Sequence, residues 1–230
     1  MAGHSPNQKA RISLLKAYRS RARRNSNLWL VYSPKTNRDW ILPSDRQLIH
    51  WLAFLEAAPA VASFDLDPPL ELLKDIHTTV GTKVDAVVRM RDGSVEWHEA
   101  KAVADLDSLQ LRAQRELATA RHITYRLIDD SRLFPARKEA LRWLKPIAYA
   151  ATIRERECEP THAALASYVQ QRRRGLVGEV LSDLNLHDSA EVVGVLVRLA
   201  SRSIVTLDLT CAPFGYCTPW SNGDSTTPAK

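Results

Sequence analysis

Asp85, Glu99 and Lys101 are the residues of this 230-residue chain whose types and spacing could do chemistry together. Two carboxylates that can share a hard cation, with an ammonium nearby to orient a water or steady charge on a phosphate, are the parts a metal-dependent nuclease needs. The stretch that carries them, Lys83 to Val103 (KVDAVVRMRDGSVEWHEAKAV), holds two apolar-rich runs joined by Arg91-Asp92-Gly93. It reads as a β-hairpin, and its loop length decides whether the three residues meet. A two-residue Asp92-Gly93 turn would set Asp85 opposite Ala100, on the sheet surface away from Glu99 and Lys101. A three-residue loop, with Gly93 supplying the left-handed residue of a bulge, pairs Met90 with Ser94 and sets Asp85 across from Glu99. The functional reading therefore predicts the three-residue loop. Asp85, Glu99 and the backbone carbonyl of Ala100 would then be the ligands of Mg²⁺ (or Mn²⁺), with Lys101 near the attacking water or the scissile phosphate.

The elements that must position this hairpin are legible on both sides of it. Leu28–Tyr32 and Trp40–Leu42 read as strands around a Pro34/Asn37 turn. Pro43-Ser44-Asp45 starts a helix whose Leu48, Trp51, Leu52 and Leu55 recur at helical spacing, running from Asp45 to Ala58 before Pro59. Val61–Leu66 and Leu72–His77 are strand candidates separated by Pro68-Pro69. After the hairpin come an amphipathic helix from Leu106 to Arg121, a strand over Ile123–Ile128, and a helix over Lys138–Ala151 interrupted at Pro146. The pattern is α/β: a mixed sheet of about five strands with flanking helices. From residue 153 the composition turns charged, and three helices (161–171, 176–184, 189–202) followed by a strand at 204–209 predict a winged helix-turn-helix. The expected organisation is a basic arm over 1–27, a catalytic domain over 28–152, a second domain over 153–220, and a disordered tail over 221–230.

The net charge of +6 favours an acidic partner,. Its excess is concentrated in the N-terminal arm, where no acid occurs before Asp39. Arg19, Arg21, Arg23 and Arg24 of the arm, Lys35 and Arg38 of the first hairpin, and Lys83 beside Asp85 are the candidate contacts to a DNA backbone. Three scattered cysteines and seven histidines without an HxH or HxxxH pair point away from a disulfide framework or a zinc site,. No apolar run of about 18 residues and no leader pattern occur, which predicts a cytoplasmic protein. No Gly-rich phosphate loop is present, so ATP binding by the chain itself is not expected.

The spacing of Asp85 and Glu99-Ala100-Lys101, followed by a helix and a strand, resembles the PD-(D/E)xK nuclease superfamily, whose restriction-endonuclease-like fold it implies. SPKTNRDW at Ser33–Trp40, PSDRQLIHWLAFLEAAPAVASFDLDP at Pro43–Pro68 and LVRLASRSIVTLDL at Leu196–Leu209 look like TnsA-type endonuclease subunits of heteromeric transposases. The likeness covers most of residues 28 to 210. It implies Mg²⁺-dependent cleavage of double-stranded DNA at the transposon 5′ ends, a DDE-type transposase subunit as partner, and an AAA+ ATPase regulator engaged through the C-terminal domain. The family carries a catalytic glutamate on the first helix in a Ser-x-x-Glu setting; here Ser44-Asp45-Arg46 is followed by Gln47. A glutamine can accept a hydrogen bond from a metal-bound water but supplies no charge and no base. Three options stand open: Gln47 positions, Asp45 or Glu56 substitutes, or activity is reduced. A restriction or repair nuclease, and a catalytically weakened DNA-binding or scaffold protein, are the alternative readings. The helix over 190–200 offers only Glu191 and Arg198, which suits a core or protein-docking helix better than a reader of base edges.

Overall fold

The computed structural model describes residues 18–19, 27–74, 79–101 and 108–223. The chain is mixed α/β. Its central sheet has four strands in the order β3 (Val61–Asp65), β6 (Ala86–Met90), β7 (Val95–Ala100) and β8 (Thr124–Ile128). The first two pairings are antiparallel and the last is parallel. The expected fifth strand is not in it. β1 (Trp29–Ser33) and β2 (Arg38–Leu42) form their own hairpin, and β4 (Glu71–Lys74) pairs with β5 (Thr79–Thr82) in a separate ribbon beyond Pro68-Pro69. Proline cannot donate to a ladder, so that pair ends β3 and sends the chain off the sheet.

The first helix starts where its cap requires. Ser44 is extended, and its hydroxyl accepts the Gln47 N–H at 3.2 Å, opening α1 (Asp45–His50),. Trp51–Glu56 then continues as a π-helical turn, with the Ala57 N–H donated five residues back to Leu52. Trp51, Leu52 and Leu55 from this turn enter the main core. α2 (Leu109–Ala120), capped by Ser108, covers part of the other side: its Leu117 and Ala118 pack with Val84 and Trp97 in a smaller cluster.

The region after β8 differs from the sequence expectation. α3 (Asp130–Arg142) begins at an Asp129 cap and contains Pro135. The chain breaks at Trp143, and α4 (Leu144–Thr152) carries Pro146 in its first turn, where a missing N–H costs nothing,. The helix interruption is therefore three residues ahead of the proline.

The C-terminal segment contains α5 (Glu159–Arg172), α6 (Val177–Asp183), α7 (Ser189–Ser201) and a three-stranded sheet. Its order is β10 (Val205–Leu207), β11 (Pro219–Asn222), β9 (Arg174–Leu176). β11 carries ordered chain two residues past position 220, into the stretch expected to be a disordered tail. α7 is buried along most of its length and lies against α4. A Cβ added at Gly194 would come within 2.8 Å of Ile153 and 3.0 Å of the Tyr149 carbonyl. The β6–β7 hairpin touches this segment through its loop, where Arg91 donates to the carbonyls of Pro59 at 2.7 Å and Arg202 at 2.6 Å. No helix among the described residues is long and apolar enough to cross a membrane.

Candidate active site

The loop joining β6 to β7 has three residues. Gly93 adopts φ +89°, its N–H donates to the Met90 carbonyl at 3.1 Å, and the Met90 N–H donates to Ser94 at 2.9 Å. The ladder pairs Ala86 with His98 and Arg89 with Val95, which continues to Asp85 opposite Glu99. Glycine takes that positive φ without a Cβ penalty, so the loop and the register follow from one residue. Past the ladder the two acidic residues hold each other's strands: the Asp85 N–H donates to Glu99 Oε2 at 3.3 Å, and the Ala100 N–H donates to Asp85 Oδ2 at 2.8 Å.

Around this pair the structure gathers Gln47, Lys101 and Gln114. Gln47 Nε2 donates to Asp85 Oδ1 at 2.8 Å. Lys101 Nζ lies 2.8 Å from Glu99 Oε1, its side chain about one-third exposed. Gln114 of α2, fully buried, donates to Glu99 Oε2 at 3.1 Å and to the Lys83 carbonyl at 3.2 Å, and accepts the Tyr125 hydroxyl at 2.6 Å. Burial pushes the Asp85 carboxyl above its ordinary range, against the Ala100 and Gln47 hydrogen bonds. Burial raises Glu99 too, and the Asp85 charge adds to it. The Tyr125 hydroxyl is also raised, by burial first and by Glu99 second.

Among the described residues there is no cluster of three or more His, Cys, Asp or Glu side chains suited to a metal. The donor set that exists is two carboxylates and a carbonyl. The Ala100 N–H points to Asp85 while the Lys101 N–H donates to Ile128 on the other neighbour at 3.1 Å. Strand alternation therefore puts the Ala100 carbonyl on the Asp85 side. Both Asp85 oxygens and Glu99 Oε1 have one partner each, whereas Glu99 Oε2 already accepts two hydrogen bonds,. These are hard oxygen donors of like charge, held together at a cost that a divalent cation would relieve, and they fit Mg²⁺ or Mn²⁺ with waters completing the shell. A cleft of about 260 Å³ opens beside them, lined by Gln47, His50, Leu66, Lys83 and Asp85 among others. A larger groove of about 800 Å³ is lined by Tyr32 and Asn37 of the first hairpin, by alternating arginines and glutamates over 154–157, and by Arg198 of α7.

The fate of the first helix's acids is now plain. Asp45 accepts Asn27 at 2.9 Å and the Trp29 indole at 2.8 Å, and the Asn27 bond, ahead of the Trp29 one, lowers its carboxyl. Glu56 is buried against Ser33 Oγ at 2.6 Å and the Lys35 N–H at 2.9 Å. Both carboxylates are engaged elsewhere, and the α1 residue that hydrogen-bonds Asp85 is Gln47.

The candidate DNA contacts are spread out. Lys83 is ion-paired with Asp67 at the cleft rim. Arg38 is exposed and stacks over Trp40 at 4.1 Å. Lys35 turns inward, donating at 2.8 Å each to the carbonyls of Leu55 and Ala58, which leaves its ammonium with protein partners and not with a DNA-facing surface. Arg19 is exposed on a short helical stretch. Arg21, Arg23 and Arg24 lie outside the described residues, as does His77.

Sequence reasoning missed the polar chain on the reverse face of β7. His50 Nε2 lies 3.0 Å from His98 Nδ1, and His98 Nε2 lies 3.0 Å from Glu96 Oε2, which Arg126 also holds. Glu96 stays low: burial works against its charge, and the Arg126 and His98 hydrogen bonds outweigh it. An ionised Glu96 takes the His98 Nε2–H, so His98 Nδ1 accepts from His50. Burial, with His98 second, holds His50 neutral, its pKa down to about 3. Parity along β7 places Glu96 and His98 together, but no local pattern brings His50 to them. Gln114 carries no local signal of its contact with Glu99 beyond its place on the helix that follows the hairpin.

No protein-family model matches the chain, and no curated protein matches it.

Proposed function

We propose that the chain is a Mg²⁺-dependent DNA endonuclease subunit of a transposition complex, hydrolysing a phosphodiester at the transposon 5′ ends. One observation carries this reading: a three-residue loop sets Asp85 opposite Glu99, with Lys101 against the same carboxylate. Asp85, Glu99 and the Ala100 carbonyl would hold the cation, which when bound supplies Lewis-acid stabilisation of a phosphoryl oxygen and a more acidic water. Lys101, its side chain about one-third exposed where Glu99 is buried, would meet the negative charge that develops on the phosphate,. Gln47 fixes Asp85 and has no charge to give, so proton removal from the attacking water falls to other groups, solvent included.

The four-stranded mixed sheet with helices on both faces supports a restriction-endonuclease-like core. The three helices and small sheet after residue 158 support a winged-helix domain. Its α7 is a buried core helix, which favours a platform for partner proteins, the transposase and its ATPase regulator, over a reader of bases. Sequence-independent backbone contact by the basic arm and the rim predicts steeply salt-dependent DNA binding.

A second reading is favoured by a specific feature: the first helix offers Gln47 where a third carboxylate would stand. On that reading the fold is retained as a DNA-binding scaffold. Metal-dependent nicking of duplex DNA by the chain assembled with its transposase partner separates the two. Cleavage lost in Asp85→Ala and in Lys101→Ala supports the nuclease, and an assembled complex that leaves the 5′ strand intact supports the scaffold.

A further inference from the structure

Gln114 is the most enclosed polar side chain at the site, and its orientation is fixed from two directions. The Lys83 carbonyl can only accept, so the atom 3.2 Å from it must be Nε2; the remaining Oε1 then accepts the Tyr125 hydroxyl at 2.6 Å,. With the amide so fixed, Nε2 must point a hydrogen at Glu99 Oε2, 3.1 Å away. The Asp85 N–H reaches the same oxygen. Glu99 is thus pinned through Oε2 by two donors, and the oxygen left for a cation is Oε1, which Lys101 holds at 2.8 Å.

Resting on the metal-site reading above, we infer that Gln114, locked by Tyr125, is the positioning residue that selects Oε1 of Glu99 for the cation. Lys101 is the occupant the cation must displace from that oxygen. Cation binding and release of the Lys101 ammonium toward substrate are one event. A carboxylate free to rotate would lose this coupling, because either oxygen could then serve either partner.

The test is Mn²⁺ binding to the full chain without DNA, read from the electron paramagnetic resonance of the free ion. Outer partners of metal ligands commonly contribute about 10- to 100-fold in affinity, and Gln114→Met is expected to weaken Mn²⁺ binding by that order. Tyr125→Phe deletes only a hydroxyl and keeps the ring, and is expected to weaken binding in the same direction by up to about tenfold. It carries the test if Gln114→Met does not fold. Lys101→Met removes the competitor and is expected to bind Mn²⁺ more tightly than the wild-type chain. Gly194→Ala, in the remote α4/α7 contact, reports what a loss of stability alone does to affinity. Folded Gln114→Met and Tyr125→Phe chains that bind Mn²⁺ no more weakly than Gly194→Ala overturn the inference while leaving the metal site standing. A wild-type chain that binds no Mn²⁺ overturns the metal site itself, and the inference with it.

Discussion

Replacing Asp85 by Asn should stabilise the metal-free protein and abolish its response to Mg²⁺. Glu99 is 1% exposed and Asp85 faces it from the neighbouring strand. Side chains directly opposite each other across an antiparallel pair sit about 5 Å apart. At that distance and an effective dielectric near 20, two unit charges repel by about 3 kcal/mol. Lys101 against Glu99 offsets part of this, leaving a net relief of about 1–2 kcal/mol on removal of one charge. The asparagine keeps the local bonds: its Oδ1 accepts the Ala100 N–H, and its amide faces Gln47, whose own amide turns to offer oxygen. In a chain of 230 residues each kcal/mol moves the melting temperature by roughly 2–4 °C, so a rise of about 2–8 °C is expected in EDTA,. Saturating Mg²⁺ adds stability to the wild-type chain as RT ln(1 + [L]/Kd), about 3 kcal/mol at a hundredfold excess over Kd, and adds none to the variant. The two melting curves should therefore exchange order between EDTA and Mg²⁺. An asparagine variant that melts below the wild type in EDTA, or gains as much from Mg²⁺, refutes the facing-carboxylate account.

Gly93→Ala forces a Cβ onto φ +89° but meets no atom within 4 Å, so only backbone strain of about 1 kcal/mol is expected in a urea melt, with the site unchanged,. A loss above about 3 kcal/mol would mean that the loop is packed and not open. Gly194→Ala should cost about 1–3 kcal/mol by overpacking the α4/α7 contact, read by the same melt; a neutral result would show that the helices can move apart freely,. Half-buried Lys35 and buried Glu56 beside it make stability depend on pH in two windows. Burial raises Glu56 above its ordinary 4.5, so the folded chain keeps a proton that the unfolded chain sheds, and stability falls as pH rises through that window,. Burial lowers Lys35 to about 8, so from there to its ordinary 10.5 the unfolded chain holds the extra proton, and stability recovers as pH rises,. Lys35→Met should remove the alkaline recovery from pH-dependent denaturant midpoints, and a profile unchanged in that range would place the ammonium in solvent.

Locally coded features were legible in the sequence. Ser44 capping α1, the Gly93 loop and the period-2 pattern of β6 and β7 are set by residues within a few positions of one another; turn chemistry allowed two registers, and the one in which Asp85 faces Glu99 is the one the site chemistry requires. The break before Pro146 was misplaced because a proline in a first turn is harmless, and the expected helix began at Lys138 where α3 begins eight residues earlier, behind its Asp129 cap,. Strand membership was overcounted for a related reason: alternation marks β1, β2 and β4 as strands, yet which sheet they join depends on how the chain leaves each one.

By itself, then, the sequence determined the hairpin and the face shared by Glu99 and Lys101, because each depends on short-range geometry, and it narrowed the register to two, in one of which Asp85 joins that face. Tertiary structure decided which polar side chains complete that face. It turned Asp45 toward Asn27 and Trp29, buried Glu56 against Ser33 and the Lys35 N–H, brought His50 to His98, and left Gln47 and Gln114 touching the carboxylates. The physical reason is that an isolated polar side chain has no periodic signature; where its hydrogen bonds end is fixed only when distant elements pack and every buried donor must find an acceptor.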